Sequence, residues 1–182
     1  MIRIGVIADT HVPDRRRAMH PQVVSKFRSL DVAAILHAGD VSAGPVLDAL
    51  QEIAPVHAVR GNRDWVALRH LPLSLQVSFG GVEIAITHGH GPPLNYVRDR
   101  IDYLVRGYRL ELFAPRLLRT HQGVRVIVFG HTHRPLCQWV DGVLLFNPGS
   151  PHFPDPKGAA PSLGIMRIST DGQVEGEIIE LS

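Results

Sequence analysis

The sequence predicts an α/β fold whose polar residues gather where strands stop. Three observations carry this expectation. Five apolar runs rich in β-branched residues each end in Gly, Asp, Asn or His, amphipathic segments separate the first three, and Gly-containing dipeptides punctuate the later half. Runs without strict polar alternation fit strands covered on both faces. With 182 residues and 45% hydrophobic content the chain can bury a proper core, and a single domain over 1–182 is expected.

In chain order, "IRIGVIADTH" is a strand that stops at Asp9. "HPQVVSKFRS" (20–29) is helix-compatible, with His20 before Pro21 as its first residue. "VAAILHAGD" is the second strand, "GPVLDALQEI" (44–53) a second helix with Pro45 near its start, and "VHAVRGN" the third strand. Together they make a βαβαβ opening. "LQVSFGGVEIAIT" around Gly80-Gly81, "LCQWVDGVLLFN" around Asp141-Gly142 and "IMRISTDGQVEGEII" around Asp171-Gly172 read as hairpins, so the later half is expected to be mostly antiparallel. "VEIAITHGH" and "VRVIVFGHTH" supply two more strands that end in histidines, and the Pro-rich 147–162 reads as an extended loop. Between them, about 92–122 reads as a helical insertion with Arg98, Arg100, Arg106, Arg109, Arg116 and Arg119. A lid, an oligomer contact and a plain basic surface all fit it.

Composition removes several classes of function. One cysteine, Cys137, allows neither an intrachain disulfide nor a cage of several thiolates. No apolar run approaches the ~20 residues of a membrane span, and the start lacks a secretory pattern, so a soluble, cytoplasmic protein is expected. Nineteen basic against 17 acidic residues give a charge of +2, too small an excess to argue for a nucleic-acid surface.

In sheets of this kind ligands bind beyond the carboxyl ends of the strands, where residues distant in sequence converge. An extended chain would aim Asp9 and His11 at one point and His131 and His133 at one region. Asp40, Asn62 and His88 add oxygen and nitrogen donors, and Gly39, Gly61, Gly89 and Gly130 allow tight turns beside them. A mixed imidazole, carboxylate and amide set suits Mn, Fe, Zn, Co or Ni better than Ca or Cu(I). Seven donors exceed one tetrahedral shell and suffice for two ions if one carboxylate bridges. "THGH" also offers His90, but the strand-end position favours His88. His37, His57, His70, His121 and His152 read as hydrogen-bonded core or turn residues, Arg15 to Arg17 as a solvated loop, and "NPGS" (147–150) as a turn. Free imidazole protonates near pH ~6.5, so acid is expected to displace metal at the histidines.

The ordered series Asp9-x-His11, Gly39-Asp40, Gly61-Asn62, His88 and Gly130-His131-x-His133 resembles the calcineurin-like metallophosphoesterase superfamily. The "GNRD" and "NPGS" contexts resemble its small bacterial and archaeal phosphodiesterase branch, which shares its fold with a retromer subunit. The resemblance implies a four-layer α/β/β/α sandwich with mixed parallel and antiparallel sheets. It implies two divalent ions, Mn2+ foremost, with Asp9, His11, Asp40 and His133 around one and Asp40, Asn62, His88 and His131 around the other. Such a pair generates a hydroxide from a shared water and offsets phosphoryl charge. Catalysis would fall to Asn62, Arg63 and His88, and substrate binding to Asn62 and Arg63. Arg63 is a departure: many superfamily members carry a histidine there that protonates the leaving alcohol, whereas guanidinium is a poor proton donor and a good phosphate clamp. A phosphodiesterase acting on a small phosphodiester or nucleotide, with nucleic acid less favoured, is the expected function. The alternative is a protein-binding scaffold that keeps the fold without turnover.

Overall fold

The computed structural model of the chain describes residues 1–90 and 110–182. Its elements are β1 (Ile2–Ile7), α1 (Pro21–Ser29), β2 (Ala34–His37), α2 (Gly44–Gln51), β3 (Val56–Ala58), β4 (Ser74–Phe79), β5 (Val82–Thr87), α3 (Leu110–Thr120), β6 (Val126–Val128), β7 (Leu136–Val140), β8 (Val143–Asn147), β9 (Ser162–Ile168) and β10 (Val174–Glu180). Of the expected insertion, 92–109 lies outside the described residues, and α3 occupies 110–120 of the rest.

Two five-stranded sheets form, ordered β10-β9-β1-β2-β3 and β4-β5-β6-β8-β7. The βαβαβ opening is parallel: Ile4 pairs with Ala34 and Ile35 with Val56. All three hairpins form where their Gly dipeptides placed them. The later half is mostly antiparallel as expected, in β4-β5, β7-β8, β9-β10 and β1-β9, but β5, β6 and β8 lie parallel, with Ile84 beside Val126 and Val126 beside Leu144. The cause is a crossover. After β6 the chain runs out to the sheet edge as β7, and its hairpin returns as β8 into the place beside β6.

Three apolar clusters define four layers. Between the sheets lie Ile4, Val6, Leu36, Ile84, Val128, Phe146 and Met166. Val23 and Phe27 of α1 and Val46 and Leu50 of α2, each pair four residues apart on one helix face, pack on the outer side of the first sheet. Ala114 and Leu117 of α3 cover Ala85, Ile127 and Leu145 of the second. Helix, sheet, sheet, helix is the predicted α/β/β/α order.

His20 caps α1, its Nδ1 accepting from the Gln22 amide at 3.3 Å, and Lys26 and Arg28 in the last turn oppose the helix dipole. A Cβ on Gly5 of β1 would stand 2.8 Å from the Phe27 ring, so that glycine lets the helix sit close. Among the described residues, no helix is long and apolar enough to cross a membrane.

Candidate metal centre

The ends of β1, β2 and β3 from one sheet and of β5 and β6 from the other open on the same place. Each candidate side chain leaves one of the loops that follow. Asp9, His11, Asp40, His131 and His133 all have left-handed backbone, with φ of 54°, 52°, 52°, 70° and 57°. The extended geometry expected for Asp9-x-His11 and His131-x-His133 is therefore wrong. Each pair sits on left-handed backbone, a conformation that non-glycine residues hold only when their surroundings impose it. Here the Asp9 amide donates to Gly39 O (3.0 Å), the His11 amide to Asp40 O (3.0 Å) and the His131 amide to Asp9 Oδ2 (2.9 Å).

All seven candidates converge. His11 Nε2 lies 3.1 Å from His133 Nε2, 3.9 Å from Asp9 Oδ1 and 3.8 Å from Asp40 Oδ2. His88 Nε2 lies 3.5 Å from Asp40 Oδ1 and 3.1 Å from Asn62 Oδ1, which is also 3.0 Å from His131 Nδ1. Two sets result, and Asp40 turns one carboxylate oxygen toward each. Donor atoms of Asp9, His11 and His133 lie within 4.8 Å of one another, as do those of Asp9, Asp40 and His88. Asp9 thus borders both groups.

The donor set fits cations. His88 Nδ1 donates to Ala38 O (2.8 Å) and His133 Nδ1 to Phe153 O (2.6 Å), which leaves each neutral ring with its lone pair on Nε2. Those lone pairs face other acceptors: Asn62 Oδ1 at 3.1 Å from His88, and Asp9 Oδ1 at 3.5 Å from His133. Facing acceptors repel unless positive charge lies beside them. Asp9 Oδ1 and His11 Nδ1 are buried without a hydrogen-bond partner among the described residues.

Protonation does not supply that charge at the rings. Burial first, then the neighbouring His133, hold His11 down at about 2, and burial holds His88 at about 3 and His131 well below its ordinary range. Burial acts oppositely on the acids. It lifts Asp40 to about 6 against a hydrogen bond from the Arg63 amide, and raises Asp9 with help from Asp40. The expectation that acid competes first at the histidines is therefore corrected for His11, His88 and His131: in the metal-free chain protons return to Asp40 before them.

Several supporting residues escaped the sequence reading. Asp64, fully buried, accepts from the amides of Ser42 and Gly61 (2.7 Å each) and of Val41 (3.3 Å), locking together the loops that carry Asp40 and Asn62. It is the last residue of "GNRD", but nothing in the sequence distinguishes a buried carboxylate from an exposed one. Asn147 and Ser150 of "NPGS" do more than turn the chain: Asn147 Nδ2 donates to Gly130 O (3.0 Å) and Ser150 Oγ to Asp9 O (2.8 Å). A Cβ on Gly61 would fall 2.1 Å from Asp40 Oδ1, so this glycine is fixed by close approach.

Around the centre, Arg63 is exposed, and its guanidinium donates to Asp14 Oδ2 at 3.0 Å; Asp14, Asn62 and Arg63 line an open cleft. Arg15 and Arg16, exposed as expected, each hold the guanidinium 5.4 Å from the Phe153 ring centre. His90 stands one ring further out than His88, with centroids 5.3 Å apart. His37 is the expected core histidine, buried against Thr10 Oγ1 at 3.2 Å.

Residues 2–171 match the profile of the Calcineurin-like phosphoesterase superfamily domain. A probable metallophosphoesterase of Methanocaldococcus jannaschii is 35% identical over 98% of this chain and 81% of its own. The phosphodiesterase YfcE of Escherichia coli is 32% identical over 64% of this chain and 55% of its own. Among solved structures, wild-type Vps29 of Entamoeba histolytica, complexed with zinc, superposes with a TM-score of 0.71 at 24% identity, covering 98% of this chain and 99% of that one. This last likeness is one of fold alone.

Proposed function

The chain belongs to the calcineurin-like phosphoesterase superfamily, and from that membership we propose that it hydrolyses phosphodiester bonds at a centre of two divalent cations. The observation that carries this reading is Asp40, whose Oδ2 lies 3.8 Å from His11 in one donor set and whose Oδ1 lies 3.5 Å from His88 in the other. Asp9, His11, Asp40 and His133 would hold one ion and Asp40, Asn62, His88 and His131 the second. Mn2+ is preferred, and Ni2+, Co2+, Zn2+ and Fe2+ match the same donors. When bound, such a pair acidifies water to a hydroxide nucleophile and offsets charge on the phosphoryl oxygens.

The protein's own groups do the positioning. Asn62, at the cleft, faces His88 and His131 with its carbonyl oxygen, and its side-chain amide, unbonded among the described residues, would orient a phosphoryl oxygen. Arg63 would exchange Asp14 for the substrate, two guanidinium donors matching two phosphoryl oxygens. It stays charged throughout and cannot protonate the leaving oxygen, so substrates with good leaving groups should turn over best.

The test is a panel of bis-p-nitrophenyl phosphate and p-nitrophenyl phosphate, each with Mn, Ni, Co, Zn and Mg. Diester rates should exceed monoester rates under matched metal, and the reverse order would refute diester preference. Metal binding without turnover of any ester would favour the scaffold reading suggested by the Vps29 fold.

A further inference from the structure

We propose that Asp14 is a specificity-determining residue: its carboxylate, held in the cleft by Arg63, favours phosphodiesters, with one negative charge at phosphorus, over phosphomonoesters, with two. This rests on the phosphodiesterase reading and assigns its diester preference to one side chain.

Both members of the pair are tethered to the donors. The turn that carries Asp14 is closed on His11, because the amides of Arg15 and Arg16 donate to His11 O at 2.9 and 3.2 Å. That turn is in turn pinned to the loop after β2, where the amides of His11 and Val12 donate to Asp40 O (3.0 Å) and Val41 O (3.2 Å). Arg63 is fixed from the other side: its amide donates to Asp40 Oδ1 at 2.8 Å, and its guanidinium to Asp14 Oδ2 at 3.0 Å. The ion pair therefore links the loop of His11, in the first donor set, to the loop of Asn62, in the second. Asp14 and Arg63 line the same open cleft as Asn62, whose Oδ1 stands 3.1 Å from His88 Nε2 and 3.0 Å from His131 Nδ1, so the cleft leads to the donors.

An ion pair whose side chains are 36% and 39% exposed adds little to stability. Its effect falls on whatever anion enters the cleft. A carboxylate beside a phosphate-binding arginine weakens anion binding, and it weakens it unequally. When a phosphoryl group displaces Asp14 from Arg63, the turn keeps the carboxylate in the cleft with no other ion-pair partner among the described residues. A phosphodiester carries a single charge and can turn a neutral ester oxygen toward Asp14. A phosphomonoester loses its second proton near pH ~6, and above that every oxygen but the ester one shares its two charges. At a separation of about 5 Å and an effective dielectric of about 40–80, the extra charge weakens binding roughly four- to fifteenfold.

The test compares p-nitrophenyl phosphate with methyl p-nitrophenyl phosphate at pH 8 under one metal, two substrates that share a leaving group and differ by one charge and one methyl group. Asp14→Asn should raise kcat/KM for the monoester relative to the diester about fivefold or more, chiefly through a lower monoester KM. Asp14→Glu, which keeps the charge, should retain the native ratio. So should Asp31→Asn, a control whose exposed carboxylate pairs with Arg3 at 4.0 Å and precedes β2, at the opposite end of that strand from Asp40. A second arm needs no turnover: calorimetric titration of the metal-loaded chains with methyl phosphate and dimethyl phosphate should show Asp14→Asn tightening methyl phosphate about fivefold relative to dimethyl phosphate. An unchanged ratio in Asp14→Asn, or the same shift in Asp14→Glu or Asp31→Asn, would overturn the assignment. If neither p-nitrophenyl ester is hydrolysed while the binding shift persists, the diesterase reading fails and the charge selection by Asp14 stands.

Discussion

Asp40 carries the account at the scale of single residues. At 3% exposure and beside the acid Asp64, its carboxyl is held at about 6 in the metal-free chain. A raised acid stabilises folding fully below its unfolded value of 3.8 and loses that contribution as pH rises through about 6. The imidazoles run the other way: with His11 at about 2 and His88 at about 3, their contribution is full above 6.5 and declines as pH falls below it. A bound cation reverses the sign at Asp40, because it favours the charged carboxylate. Apparent metal affinity should therefore hold from pH 8 down to about 6 and then fall roughly tenfold per pH unit, or more steeply as Asp9 also takes up its proton. Calorimetry at pH 5.5 in two buffers of different ionisation enthalpy should register that proton release, and an affinity that breaks near 6.5, the ordinary imidazole value, would contradict it. The seven donors were legible as strand-end Asp, Asn and His. The left-handed backbone of five of them, Asp9, His11, Asp40, His131 and His133, was not, because it is imposed by amides and carbonyls of loops remote in sequence, Gly39 and Asp40 above all.

At the scale of elements, the glycines that let loops and helices approach are the sensitive points. Gly61→Ala would drive a methyl group into Asp40, and metal content should fall although no donor is lost. A Gly61→Ala chain that loads metal like the native one would show that the loop has room to move. Phe27, with no exposed surface, anchors α1, and Phe27→Ala should cost about 3–5 kcal/mol in urea unfolding at fixed metal concentration. A cost below about 1 kcal/mol would mean that α1 settles into the gap. Hairpins were legible because their signal is local: Gly80, Gly81, Asp141, Gly142 and Gly172 take the positive φ that such turns require. The parallel β5-β6-β8 order was not, since no dipeptide records which strand a returning hairpin will lie beside.

For the molecule as a whole, the centre joins the two sheets. Asp9, His11, Asp40 and Asn62 leave the β1-β2-β3 sheet, and His88, His131 and His133 leave the other. Cations held between them would act as a clasp across the sandwich. At a free concentration one hundred times the dissociation constant, one such ion adds about 2.7 kcal/mol to stability. Chelation should then lower Tm by roughly 5–10 °C, given about 2–4 °C per kcal/mol for a chain of this size. A melting temperature indifferent to chelator would mean that the donors are joined without help. The most direct test of the two-cation centre is the metal content of the chain after equilibrium dialysis against Mn2+, measured by plasma mass spectrometry for the native protein, Asp40→Ala and Asn62→Ala. Close to two ions per chain are expected in the native protein, close to none in Asp40→Ala and about one in Asn62→Ala. One ion at saturation in the native chain, or two in Asp40→Ala, would contradict the two-cation centre.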